Sequence, residues 1–149
     1  MTLRPATPED ARAVAACVEA AYKHYVVRMG KRPGPMLENY DEVVRRHRVW
    51  VLEDGGAIVA ASVLIVEPER PLLDAVAVLP QFQGRGLGRQ LIAHAEAEAK
   101  RLGYKAIELY AHELMHENIA LYTRLGYREF VRKTEKGYNR VYMRKPLTA

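Results

Sequence analysis

Cysteine is almost missing: Cys17 is the only one in 149 residues, so no internal disulfide can form, and no cluster of Cys with His has zinc spacing. Neither a redox staple nor a bound metal is expected. Long apolar runs are missing as well. The longest uncharged apolar stretch, Ala57 to Val66, is about half of what a membrane-spanning helix needs. The start of the sequence has no basic segment followed by an apolar run. A protein that makes no membrane contact and stays in the cytoplasm is therefore expected. There is no internal repeat, no low-complexity tract and little length to spare. With about 100 to 200 residues per domain as the usual range, residues 1–149 are expected to form one domain with a core from about 3 to 146.

What is present is the composition of an ordinary globular protein, 49% hydrophobic and 28% charged. Lys and Arg exceed Asp and Glu by 23 to 18, and the excess is local. Arg28 to Arg48 holds six basic and three acidic residues, and Arg128 to Lys145 holds seven and two. An anionic partner is one reading of such patches, but no basic helix, RNP-like aromatic signature or zinc finger supports nucleic acid. No nucleic-acid partner is expected.

Periodicity and punctuation give the element order. Leu3 to Ala6 reads as a strand, and Thr7-Pro8-Glu9-Asp10 as a helix start followed by an apolar stripe to about His24. Met36 to His47 reads as a shorter helix. Val49 to Glu53, the turn Asp54-Gly55-Gly56 and Ala57 to Val66 read as an antiparallel hairpin. Leu72 to Leu79 is a strand stopped by Pro80. A long helix starts at Gly86 or Leu87 and stops at Gly103, Lys105 to Tyr110 is a strand, and Asn118 to Leu125 a short helix. Tyr127 to Lys133 and Tyr138 to Arg144 close the chain as a hairpin around Gly137. The fold class implied is α/β of the α+β kind, a mixed, mostly antiparallel sheet of six or seven strands flanked by about four helices.

The most informative segment runs from Val76 to Gly88, a buried strand passing through a glycine-rich turn into a helix. Glycines allow close approach of the backbone to oxygens, and the helix N-terminus adds partial positive charge, with Arg85 and Arg89 beside it. This is the architecture of a diphosphate site. A Walker loop is excluded, because no Gly-Lys followed by Ser or Thr occurs after the required interval. A dinucleotide fingerprint is excluded too, since the sixth position falls on Arg89 from Gly84 and on Leu91 from Gly86.

Gln83, Gly86 and Gly88, preceded by Val76, Val78 and Pro80, resemble the first signature of the GNAT superfamily of N-acetyltransferases. Asn118, Ala120, Leu121, Tyr122, Leu125, Gly126 and Tyr127 resemble its second. The resemblance implies acetyl-CoA as co-substrate, with no metal. Its pyrophosphate would lie around Gln83, Gly84, Arg85, Gly86, Leu87 and Gly88, with Arg89 an addition. It also implies pantetheine along the backbone of Val76 and Val78, the Val78 amide facing the thioester oxygen. Asn118 would be a pantetheine ligand, its other role being a cap on its own helix. Tyr122 would protonate the departing thiolate.

The base is open between Asp74, which shares a strand face with Val76 and Val78, and His112, Glu113 or water. The implied reaction is acetyl transfer to a primary amine of a small molecule or peptide, with a non-catalytic acyl-CoA sensor as the alternative. Cys17, inside the first helix, is far in sequence from the loop and is not expected to act as a nucleophile. The acceptor side would use Tyr22, His24, Tyr25, Arg28, Tyr40 and Tyr138. The basic patches in those segments favour an amine that also bears a carboxylate or phosphate over a polycation. A homodimer through the sheet edge or late hairpin is left open.

Overall fold

The computed structural model describes residues 1–148. Its centre is a seven-stranded sheet built from β1 (Thr2–Pro5), β2 (Arg48–Asp54), β3 (Ala57–Val66), β4 (Pro71–Val78), β5 (Ala106–His112), β6 (Arg128–Glu135) and β7 (Tyr138–Pro146). The spatial order is β1-β2-β3-β4-β5-β7-β6. Every neighbouring pair is antiparallel except β4 with β5. The mixed, mostly antiparallel sheet is as expected, and four α-helices accompany it among the described residues: α1 (Ala11–Met29), α2 (Tyr40–Arg46), α3 (Leu87–Arg101) and α4 (His116–Arg124). None is long and apolar enough to cross a membrane.

Strand ends shift by one or two residues from the sequence reading, so that His112 ends β5, and three helix boundaries differ, each for a local reason. The first helix continues past His24 to Met29, because Tyr25 extends the buried stripe of Val14, Val18, Ala21 and Tyr22 and no breaker intervenes. It stops where Gly30 takes φ 74°, a left-handed cap that glycine adopts without Cβ strain. The second helix is not continuous from Met36. A 3-10 turn over Gly34–Leu37 is followed by an extended Asn39, whose side chain accepts from the N–H groups of Asp41 at 3.0 Å and Glu42 at 3.4 Å and so starts α2 afresh. Helix α4 begins at His116, so Asn118 lies in its first turn and is not its cap.

One irregularity positions the site. Strands β4 and β5 pair only at Leu72–Glu108 and Leu73–Leu109, and beyond Leu73 they part. Asp74 sits at the parting, where the β3–β4 register shifts: Val63 faces Ala75 and Leu64 faces Leu73. This is a β-bulge, which re-aims the extra residue's side chain. At the closed end of the wedge, Glu108 is gripped by Arg70 at 2.9 Å and Arg144 at 2.8 Å. The side chains of Val76 and Val78 face Gly88 of α3. Ala75 and Ala77 therefore face the opposite side, where Cys17 of α1 lies 3.8 Å from the Ala77 carbonyl. Leu91, Ile92, Ala95 and Ala99 anchor α3 in the core, at about 1.5–3 kcal/mol for each large apolar side chain buried.

Candidate active site

The wedge between β4 and β5 opens two cavities. The first, of about 520 Å³, is lined by Val76, Val78, the loop residues Phe82, Gln83, Gly84, Gly86, Leu87 and Gly88, Arg89, and parts of α1 and α4. Its volume falls in the range of small-molecule sites. Gly84 and Gly86 both take φ 79°, so the loop folds tightly with its backbone outward. The N–H groups of Leu87, Gly88 and Arg89 precede the first helical bond, Gln90 N–H to the Gly86 carbonyl at 3.0 Å, and are available to an anion.

The edge of β4 is equally open. Leu79 N–H bonds the Val59 carbonyl at 2.9 Å, on the β3 side. Main-chain groups alternate sides in an antiparallel ladder, so those of Val76 and Val78 point into the wedge. There the Val76 carbonyl accepts from Tyr22 Oη at 3.1 Å, and the Val78 carbonyl from Gln83 Nε2 at 3.2 Å. Their N–H groups meet no strand.

The second cavity is small, about 20 Å³ of free space, and lies between Asp74, Tyr110 and His112 on one side and Pro33 to Pro35, Tyr138 and Arg140 on the other. Tyr22, Asn118 and Tyr122 line both cavities. Tyr122 is buried, its ring stands edge-on to Tyr127 with centroids 6.2 Å apart, and its hydroxyl has no hydrogen-bond partner among the described residues. Burial pushes its phenol well above the ordinary range, so it remains protonated. Asn118 accepts from Tyr25 Oη at 3.3 Å, which fixes its side chain at the junction.

Of the base candidates, Asp74 alone has an acceptor oxygen to spare in the second cavity. Tyr110 Oη donates to its Oδ1 at 2.9 Å. Burial pushes its carboxyl above the usual carboxylate range, against the Tyr110 bond and the field of Arg140. His112 also lines the cavity, but its Nδ1 accepts from the Leu114 N–H at 3.1 Å. A neutral ring in that arrangement carries its proton on Nε2 and faces the cavity as a donor. Burial lowers its pKa, which keeps it neutral. Glu113 lines neither cavity and binds Asn139 at 3.3 Å.

Other expected residues lie elsewhere. Arg85 stacks on Phe82, 4.9 Å from the ring centre, and does not line the first cavity. Arg89 does, as does Arg124 of α4, and neither makes an ion pair among the described residues. Arg124 escaped the sequence reading because it lies just inside the second signature and bears on the loop only once α4 is folded beside it. On the acceptor side, only Tyr22 and Tyr138 of the expected set line the second cavity. His24 and Tyr25 line the first, Tyr40 Oη is tied to the Pro35 carbonyl at 2.7 Å, and Arg28 is bound to Glu117 at 2.6 Å. Many of the basic residues of the two patches are paired, Arg32 with Glu19, Arg48 with Glu98, Arg132 with Glu129, Arg144 with Glu108 and Lys145 with Glu96, and of the patches' basic residues Arg140 alone lines the second cavity among the described residues. They do not form a basic border to the second cavity.

Residues 45–129 match the family model of the acetyltransferase (GNAT) domain. The chain belongs to the GNAT acetyltransferase family. It is an acyltransferase, and this acetyltransferase is 28% identical to the uncharacterized N-acetyltransferase YjgM of Escherichia coli (strain K12) over 134 residues, 84% of this chain and 80% of that protein. Its fold is that of the PaiA N-acetyltransferase from Thermoplasma acidophilum solved in complex with coenzyme A, with a TM-score of 0.80 at 16% identity over 98% of this chain and 99% of that one. It is equally that of the ribosomal-protein-S18-alanine N-acetyltransferase from Escherichia coli, with a TM-score of 0.75 at 21% identity over 99% and 94%. Among the acetyltransferase's described residues, no group of three or more His, Cys, Asp or Glu is arranged to hold a metal ion.

Proposed function

We propose that this acetyltransferase moves an acetyl group from acetyl-CoA to a primary amine of a small molecule or peptide by direct attack in a ternary complex, with residues 1–149 acting as one catalytic domain. The observation that carries the reading is Tyr122, a buried residue in the wall shared by the two cavities whose hydroxyl has no hydrogen-bond partner among the described residues. A donor in that position touches both a ligand of the loop and a ligand beside Asp74.

The residues present fit the co-substrate. The loop supplies outward amides for a diphosphate, Arg89 and Arg124 supply cations without ion-pair partners among the described residues, and the bare β4 edge supplies N–H groups along the path to the second cavity. Acetyl-CoA, when bound, supplies an acetyl thioester and a thiol leaving group. Gln83, Gly84, Gly86, Leu87 and Gly88 then hold the pyrophosphate, with Arg85 limited to covering the loop through Phe82. Asn118 and the main chain of Val76 hold pantetheine, and the Val78 amide donates to the thioester oxygen, where negative charge develops. Asp74 orients the amine and takes its proton, a task helped by a carboxyl whose pKa is raised. Tyr122 delivers its proton to the sulfur and recovers one from solvent. Cys17 takes no part, since burial pushes its thiol up to about 12 and keeps it protonated.

Thiol release from acetyl-CoA over a panel of amino acids, polyamines, aminoglycosides and short peptides tests the reading. Turnover with at least one amine, sharply reduced in Tyr122→Phe, is expected. Tight acetyl-CoA binding with no release for any amine would instead establish an acyl-CoA sensor.

A further inference from the structure

The second cavity holds one carboxylate and one guanidinium, set against a single tyrosine. Tyr110 reaches Asp74 Oδ1 with its hydroxyl at 2.9 Å, and the Arg140 guanidinium carbon stands 4.5 Å from the centre of the same ring. With His112 neutral, these are the only charged side chains in the cavity wall among the described residues. Both have capacity left. Asp74 Oδ2 has no partner among the described residues, and the ion pair of the Arg140 fork is a long one, 3.3 Å to Glu135 Oε1, an oxygen that also takes the Tyr142 hydroxyl. Arg140 Nη2 lies at the cavity wall, 3.0 Å from where a Cβ on Gly34 would stand.

We propose that the acceptor is a free α-amino acid, its ammonium group against Asp74 and its carboxylate against Arg140. The inference rests on the acetyltransferase reading and narrows its substrate. A zwitterion meets an opposite charge at each end, and a planar carboxylate suits the guanidinium fork. A simple amine leaves Arg140 with only its long contact to Glu135, at 3.3 Å. A polycation finds one carboxylate and is repelled by Arg140, and a peptide N-terminus lacks the adjacent carboxylate. Size argues the same way. The free space holds about one water, and the segment over it is strapped to the β6–β7 hairpin by Lys31 on the Gly137 carbonyl and Tyr138 on the Arg32 carbonyl. A small ligand displaces that segment least. Met29, Pro33, Pro35 and Met115 would meet its side chain, which favours an apolar one.

The experiment compares kcat/KM for matched sets: an amino acid, its methyl ester and the amine lacking the carboxylate, for alanine, norvaline and methionine. The amino acids should lead by about 10- to 100-fold, the range of charge-assisted hydrogen bonds. In Arg140→Gln that ratio should collapse toward one through a rise in amino-acid KM. Arg140→Lys, which keeps the charge and tests the fork without emptying the site, should lie between. Arg132→Gln, on the exposed side of β6, should leave the ratio unchanged. Amines or esters that equal the amino acids, or a ratio that survives in Arg140→Gln, would overturn this inference and leave the acetyltransferase reading standing. Absence of thiol release with every member of every set would overturn this inference, and the acetyltransferase reading falls with it only when the wider panel of polyamines, aminoglycosides and peptides also gives none.

Discussion

Replacing Tyr122 with phenylalanine separates chemistry from architecture at one atom. The hydroxyl makes no hydrogen bond among the described residues, and the ring keeps its edge contact with Tyr127 at 6.2 Å. Its loss therefore deletes no internal bond, and the unfolding free energy should change by less than about 1 kcal/mol. Affinity for acetyl-CoA should hold within about threefold, since the loop amides and the β4 edge are untouched. The rate should not hold. A positioned general acid contributes about 10²- to 10⁴-fold, or about 2.7–5.5 kcal/mol of barrier. Single-turnover thiol release at saturating acetyl-CoA and amine isolates that step from product release, and a denaturant titration on the same sample measures stability. Full activity in Tyr122→Phe would refute the role. So would a rate loss matched by a loss of stability, because the effect would then be structural.

Three further outcomes follow from the same geometry. Tyr110→Phe removes the donor that favours ionised Asp74, so the Asp74 pKa rises further; because the base must be ionised, the acidic limb of kcat/KM should move to higher pH. An unmoved limb would exclude Asp74 as the titrating base. Arg124→Ala should weaken acetyl-CoA binding and flatten its dependence on salt, with kcat retained, as read by calorimetry at two ionic strengths. Glu108→Ala should cost about 2 kcal/mol in a urea titration, because Arg144 loses its carboxylate and Arg70 keeps only Glu67 at the closed end of the wedge.

Much of this was legible in the chain. The strand from Val76, the glycines at 84, 86 and 88 and the Asn118–Tyr127 segment are local patterns, and local patterns survive folding: the loop lines the first cavity, and Tyr122 lies where one cavity meets the other. The element order was also readable, because apolar periodicity and breakers act over a few residues. What escaped depends on long-range placement. That Arg85 turns to Phe82 while Arg124 reaches the cavity depends on how α4 docks beside the loop. The basic patches looked like a charged border because their partners, Glu19, Glu96, Glu98 and Glu108, lie far away in sequence. Asp74 was singled out by its strand face, but its special position comes from a bulge and a parting of strands that no alternation pattern reveals. The same holds for Tyr110 and Arg140, which become neighbours only when β5 pairs with β7.

Direct transfer at the junction of the two cavities is the central claim, and initial-velocity kinetics with both substrates varied test it most directly. Double-reciprocal lines that intersect, with an N-acetylated product and no acetylated protein by mass spectrometry, are predicted. Parallel lines together with an acetyl group carried on the enzyme, at Cys17 or elsewhere, would contradict it.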